Sequence, residues 1–106
     1  MKVRIHRGAK QIGGTCVELV SSEQRLLLDF GLPLDGDPAD ESLVPAVSGE
    51  NLCGMVISHP HIDHYGLLHH LPGNSPVLMG AAGKRIIQAA VPFTGQEFHS
   101  LDGPCL

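Results

Sequence analysis

Three imidazoles and a carboxylate fall within six consecutive residues, His59 to His64, in the stretch Ser58-His59-Pro60-His61-Ile62-Asp63-His64-Tyr65-Gly66. His59 and His61 are two apart, so in extended chain their side chains point the same way and reach one metal ion. Asp63 and His64 follow as the backbone turns, which aims them at a neighbouring point. Nearby pairs of imidazole and carboxylate suit zinc, with manganese as the alternative. The bland reading is a histidine-rich surface loop without metal. Four ligand-type residues at this spacing, directly after an apolar strand, argue for ligation instead.

The elements around the stretch must hold it. Met55-Val56-Ile57 precedes it and closes a run from Leu52 to Ile57 that suits a strand covered on both faces. A short helix from about Asp63 to Leu71 follows, with Leu67, Leu68 and Leu71 on its inner face and a stop at Pro72-Gly73-Asn74. Gly66 lets the backbone pack tightly beneath the loop, and Tyr65 packs beside the cluster. Upstream, Val3 and Ile5 alternate with polar residues as a half-buried strand on which His6 points outward. Thr15 to Val20 and Arg25 to Phe30 are two more strands, separated by the turn Ser21-Ser22-Glu23-Gln24, so an antiparallel meander is expected. Gly31 to Glu41 is a long loop rich in Pro, Gly and Asp. Downstream, Pro76 to Met79 is a short strand. Ala81 to Ala90 is a helix with Ile86, Ile87 and Ala90 on its apolar face. Strand–helix–strand–helix in this order implies a parallel unit with a right-handed crossover. No periodic element is read from Pro92 to Leu106.

With 106 residues the chain is one domain or part of one. Apolar residues make up 42% and charged residues 17%, which places it with globular rather than disordered chains. No apolar run approaches about 18 residues, and the start alternates rather than forming a signal-peptide block, so no membrane span is expected. Cys16, Cys53 and Cys105 are widely spaced and form no Cys-x-x-Cys pair. Cys16 and Cys53 read as small buried hydrophobes, Cys105 as a loose thiol, and the compartment as a reducing cytoplasm. The net charge of −4 excludes a strongly basic nucleic-acid binder. No Lys or Arg lies between Arg25 and Lys84, whereas Asp29, Asp35, Asp37, Asp40, Glu41, Glu50 and Asp63 do. Metal cations would relieve that field, and an anionic substrate would need them. Asp35 to Glu41 taken alone reads as a solvated acidic loop. His69 and His70 read as solvent-facing helix residues, with His69 at the mouth of the site as the alternative. Lys84 and Arg85 read as a solvated face.

The stretch Ser58 to Gly66 resembles the His-x-His-x-Asp-His signature of the metallo-β-lactamase superfamily. Ile12-Gly13-Gly14-Thr15-Cys16-Val17-Glu18-Leu19 and Leu26-Leu27-Leu28-Asp29-Phe30-Gly31 look like that family's early strands. Within it the nearest resemblance is to the RNA-processing, ribonuclease J-like exonuclease branch, and it covers the chain from its start to about Ala90. The resemblance implies an α/β fold: the N-terminal half of an αββα sandwich, a β-meander followed by βαβα. It implies that His59 and His61 bind a first metal ion and Asp63 and His64 a second, zinc or manganese. It implies hydrolysis by metal-activated water, with Asp63 also orienting the attacking hydroxide and Asp29 supporting the metal-binding loop. RNA is the implied substrate. A small-molecule thioester or lactone is the alternative substrate, and a non-catalytic interaction module the alternative of a different class.

The resemblance also implies ligands that are not found here: a third histidine for the first metal, a bridging carboxylate, and a further histidine for the second. His99 is the only histidine after His70, with no strand signal behind it, and Asp102 lies in Asp102-Gly103-Pro104. Two ligands per ion fall short of the three that catalytic zinc usually has. The expectation is therefore a partial domain spanning 1–106 with incomplete coordination, weak or inactive alone. Its uncovered sheet face would favour self-association.

Overall fold

The computed structural model describes residues 1–71 and 75–94. Five strands form one sheet: β1 (Lys2–Arg7), β2 (Cys16–Ser21), β3 (Gln24–Leu28), β4 (Leu52–Val56) and β5 (Val77–Leu78), lying side by side in chain order. The first three make the expected antiparallel meander. The turn between β2 and β3 is tight, with Ser22 at a φ of 55°. β4 joins β3 in parallel, and β5 joins β4 in parallel, so β3, β4 and β5 all end on the same edge. Two helices complete the order: α1 (Ile62–Tyr65), one turn long, and α2 (Ala81–Thr94). Short 3-10 turns lie at Glu41–Leu43 and Leu68–His70.

The sheet has two unlike faces, because side chains alternate along each strand. On one, Cys16, Leu27, Met55 and Val77 are buried. Phe30, Leu32, Ile57, Tyr65, Leu67, Leu68, Met79 and Ile87 join them to form the core under the loops and helices. On the other, the register aligns Val3, Leu19 and Leu26 in one row and Ile5, Val17, Leu28, Val56 and Leu78 in the next. This apolar face is uncovered: Val3 is 61% and Ile5 54% exposed, and the other six are only half-buried. At the rim of this face, Met1, Leu19, Leu26 and Cys53 line a shallow groove.

Several expectations are corrected by this arrangement. β1 is exposed rather than half-buried, and β4 is covered on one face instead of two. Cys53 is exposed because it sits where the β3–β4 register shifts, whereas Cys16 is fully buried as expected. Ile86 points to solvent at 56% exposure, and Ile87 alone of the two isoleucines enters the core. α2 continues past Ala90 through Pro92. The helix expected over Asp63 to Leu71 is instead α1 plus the separate turn at Leu68–His70. His6 is half-buried against Glu18 instead of pointing freely outward. Cys105, His99 and Asp102 lie outside the described residues.

Glu18 carries a role that the sequence reading missed. Its carboxylate is fully buried on the covered face, under Arg25, His6 and Arg4. Arg25 Nε donates to it at 3.0 Å, and Arg25 Nη1 donates to the Ser48 and Glu50 carbonyls at 2.9 and 2.8 Å. One side chain thus ties β2 and β3 to the segment that enters β4. The signal was available: alternation puts Glu18 on the face of buried Cys16, beside strands that carry Arg4 and Arg25.

Candidate metal centre

The histidine stretch lies at the carboxyl ends of the parallel strands β3, β4 and β5, where open α/β sheets place their ligand crevices. Ile57 donates its amide to Leu78 O at 2.9 Å, which fixes the exit from β4. Ser58 to His61 then cross the sheet edge, and the first turns of α2 pack behind them: a β-carbon at Gly83 would sit 3.5 Å from Pro60 Cδ.

Asp29 anchors the loop from below. It is buried and has a φ of 63°, a left-handed conformation that Asp tolerates better than most residues. That conformation turns its carboxylate under the loop. The Ser58 amide donates to Asp29 Oδ1 at 2.7 Å, and Ser58 Oγ lies 2.8 Å from Oδ2. His64 Nδ1 lies 2.8 Å from the same Oδ2. An ionised carboxylate only accepts, so His64 carries a proton on Nδ1 and turns Nε2 towards Asp63. That Nε2 is 3.3 Å from Asp63 Oδ2. The His59 ring centroid lies 3.9 Å from that of His64 with the planes tilted by 48°, and His61 stands edge-on to His59 at 4.7 Å.

α1 is also held from the side by backbone bonds. Thr15 N donates to Asp63 O at 3.1 Å, Phe30 N to His64 O at 2.9 Å, and Leu32 N to Ile62 O at 3.1 Å. Gly31 is pressed so closely on Asp63 that an added β-carbon would fall 1.7 Å from the Asp63 carbonyl oxygen. At Gly66 a β-carbon would come within 2.6 Å of Leu32 Cβ, the close packing expected there.

The four side chains singled out by spacing are therefore neighbours, and they are of the right chemistry for zinc or manganese. Among the described residues no three His, Cys, Asp or Glu side chains converge as a ready metal site. Ser58, missed in the sequence, sits at the centre of the hydrogen bonds. His69 and His70 stand apart from the cluster. Both place Nε2 3.0 Å from Pro38 O and so tie the acidic loop to the turn after α1. Burial, and then the adjacent His70, push the His69 pKa below its ordinary value. Tyr65 is buried in the core, and its phenol is pushed above its ordinary pKa by that burial.

Known proteins were compared with this chain. The sequence model of the metallo-β-lactamase superfamily matches residues 10–80. An RNase J-like protein of Methanocaldococcus jannaschii is 33% identical over 66 residues, covering 62% of this chain and 14% of that protein. A transcription termination factor, FttA, of a Lokiarchaeum species is 34% identical over 67 residues, covering 60% of this chain and 10% of its own length. This chain thus spans only a small part of each of these relatives. A crystal structure of a protein of unknown function from Enterococcus faecalis superposes with a TM-score of 0.71 at 19% identity, over 98% of this chain and 32% of that one. Human tRNase Z, short form, superposes with a TM-score of 0.53 at 16% identity, over 92% of this chain and 42% of its own. The fold is the mixed α/β architecture of the N-terminal half of a metallo-β-lactamase domain, and with the family match over about two thirds of its length this chain belongs to the metallo-β-lactamase superfamily.

Proposed function

We propose that this chain carries the first ligands of the metal centre of an RNA-processing, exonuclease-like phosphodiesterase. His59 and His61 hold one ion, and Asp63 and His64 a second. The observation that carries the reading is the buried Asp29 carboxylate, which binds both the Ser58 amide and His64 Nδ1 and so presents His64 Nε2 beside the Asp63 carboxylate. An RNase J-like protein among the relatives supports RNA as the substrate class.

A bound zinc or manganese ion would supply Lewis acidity, lowering the pKa of water and stabilising charge on a phosphoryl oxygen. The chain's own residues do the rest. Asp29 fixes the loop, and His64 keeps its Nδ1 proton on that carboxylate. Asp63, half-exposed at the first turn of α1, accepts a hydrogen bond from the attacking water and orients it. The surrounding carboxylates repel a polyanion, so phosphate approaches only when cations neutralise the site. Two donors per ion make binding weaker than at four-ligand structural zinc sites, which reach about 10–16 kcal/mol, and leave the chain weak or inactive alone. That no three such donors converge among the described residues also favours a second reading, a non-catalytic interaction module of the same fold.

Zinc and manganese titration of the purified chain, with cleavage of end-labelled RNA and a His59→Ala/His61→Ala control, tests both. Metal uptake lost in the double variant supports the centre, and RNA cleavage lost with it supports the nuclease. Uptake with thioester or lactone hydrolysis but no RNA cleavage would move the substrate class. A folded chain that takes up no metal would leave only the module.

A further inference from the structure

We infer that Ser58 is a positioning residue: its hydroxyl passes the constraint of the Asp29 carboxylate on to His59, so one buried carboxylate sets the tautomers of two histidines. The inference rests on the metal-centre reading above and deepens it. Ser58 Oγ has a single proton and three polar neighbours. They are Asp29 Oδ2 at 2.8 Å, His59 Nδ1 at 2.9 Å and His64 Nδ1 at 3.3 Å. Asp29 can only accept. If the hydroxyl proton pointed to His59, two oxygen acceptors would face each other at 2.8 Å with nothing between them. The proton therefore goes to Asp29, and the Ser58 oxygen is left as an acceptor towards His59. His59 must then carry its proton on Nδ1 and present a bare Nε2.

His64 is held to an Nδ1 proton directly, because its Nδ1 lies closer to Asp29 Oδ2, at 2.8 Å, than to Ser58 Oγ. The two ring centroids are 3.9 Å apart with the planes tilted by 48°; His59 is left with Nε2 to offer a metal, and His64 Nε2 faces Asp63 Oδ2 at 3.3 Å. Ser58 itself is held in place because its amide donates to Asp29 Oδ1 at 2.7 Å. Fixing the unligated nitrogen of a metal-binding histidine raises its basicity and removes the wrong tautomer from competition.

The test reads tautomers first and metal second. Long-range nitrogen–proton NMR of the metal-free chain at about pH 8, above the ordinary histidine range, is expected to show His59 and His64 both protonated at Nδ1. Ser58→Ala is expected to move His59 towards the Nε2–H form while leaving His64 unchanged, and Ser58→Thr to restore it. Zinc affinity by calorimetry is expected to fall about 10–100-fold in Ser58→Ala and to recover in Ser58→Thr. A wild-type His59 in the Nε2–H form overturns the relay, whether or not the alanine variant folds. So does a folded Ser58→Ala chain whose His59 tautomer has not moved. If the tautomers are as expected but the wild type takes up no zinc, the relay stands and the metal-centre reading fails.

Discussion

A β-carbon at position 31 has nowhere to go. It would fall 1.7 Å from the Asp63 carbonyl oxygen in α1 and 2.9 Å from the Thr15 amide nitrogen just before β2, both backbone atoms that cannot rotate away as a side chain can. Gly31→Ala is expected to lower stability by at least the roughly 1–3 kcal/mol typical of overpacking, read as a shifted midpoint in urea unfolding. Glu18 gives the residue scale a pH dependence. Burial raises its pKa, but hydrogen bonds from Arg25 and His6 outweigh burial and hold the carboxyl below its ordinary value of 4.5. A carboxyl lowered on folding contributes stability that is complete above 4.5 and is lost as the pH falls through its folded value. Urea midpoints of the wild type are therefore expected to drop as the pH falls below 4.5. Glu18→Gln should start less stable near neutrality and show a shallower drop.

At the scale of elements, the meander was legible and the helices were only partly so. Alternation at Val3 and Ile5, and the apolar runs after Thr15 and Arg25, are local signals, and the strands obey them. α1 shows why local signals fail. Its Asp63 and His64 carbonyls accept from Thr15 and Phe30 instead of from the next helical turn, and Leu67 N donates to Phe30 O at 3.0 Å. The helix stops after Tyr65 because residues some thirty or more positions upstream take its hydrogen bonds. Nothing in Asp63 to Leu71 records that. Ser58 was hidden for the same reason: a serine before a histidine is unremarked until Asp29 lies beneath it. The four ligand-type residues were visible because their chemistry is written in consecutive positions. Cysteine burial divides along the same line. Burial pushes the Cys16 thiol up to about 12, against a smaller opposing effect of Arg7, while Cys53 is exposed on β4. Brief iodoacetamide treatment followed by peptide mapping is expected to find Cys53 modified and Cys16 intact. Equal labelling would mean that β2 opens on the same timescale.

At the scale of the whole molecule, the core lies on one side of the sheet and an apolar surface of comparable character on the other. Contiguous apolar surface of that kind drives association. Light scattering is expected to show mass rising with concentration, and Val3→Lys with Ile5→Lys to suppress that rise. These two positions are already more than half exposed, so the fold itself should tolerate the change. A wild type that stays monodisperse as a monomer at high concentration would count against it. Among the described residues no helix is long and apolar enough to cross a membrane. The backbone bonds around α1 also bear on motion. Thr15, Phe30 and Leu32 each donate an amide to α1, and Leu67 closes the set by donating to Phe30. The histidine loop therefore cannot lift away alone, since freeing it breaks the ends of β2 and β3 at the same moment. In hydrogen exchange these four amides should open as one unit with one free energy. The histidine loop, though it lies at the surface, then belongs to the slow-exchanging part of the protein.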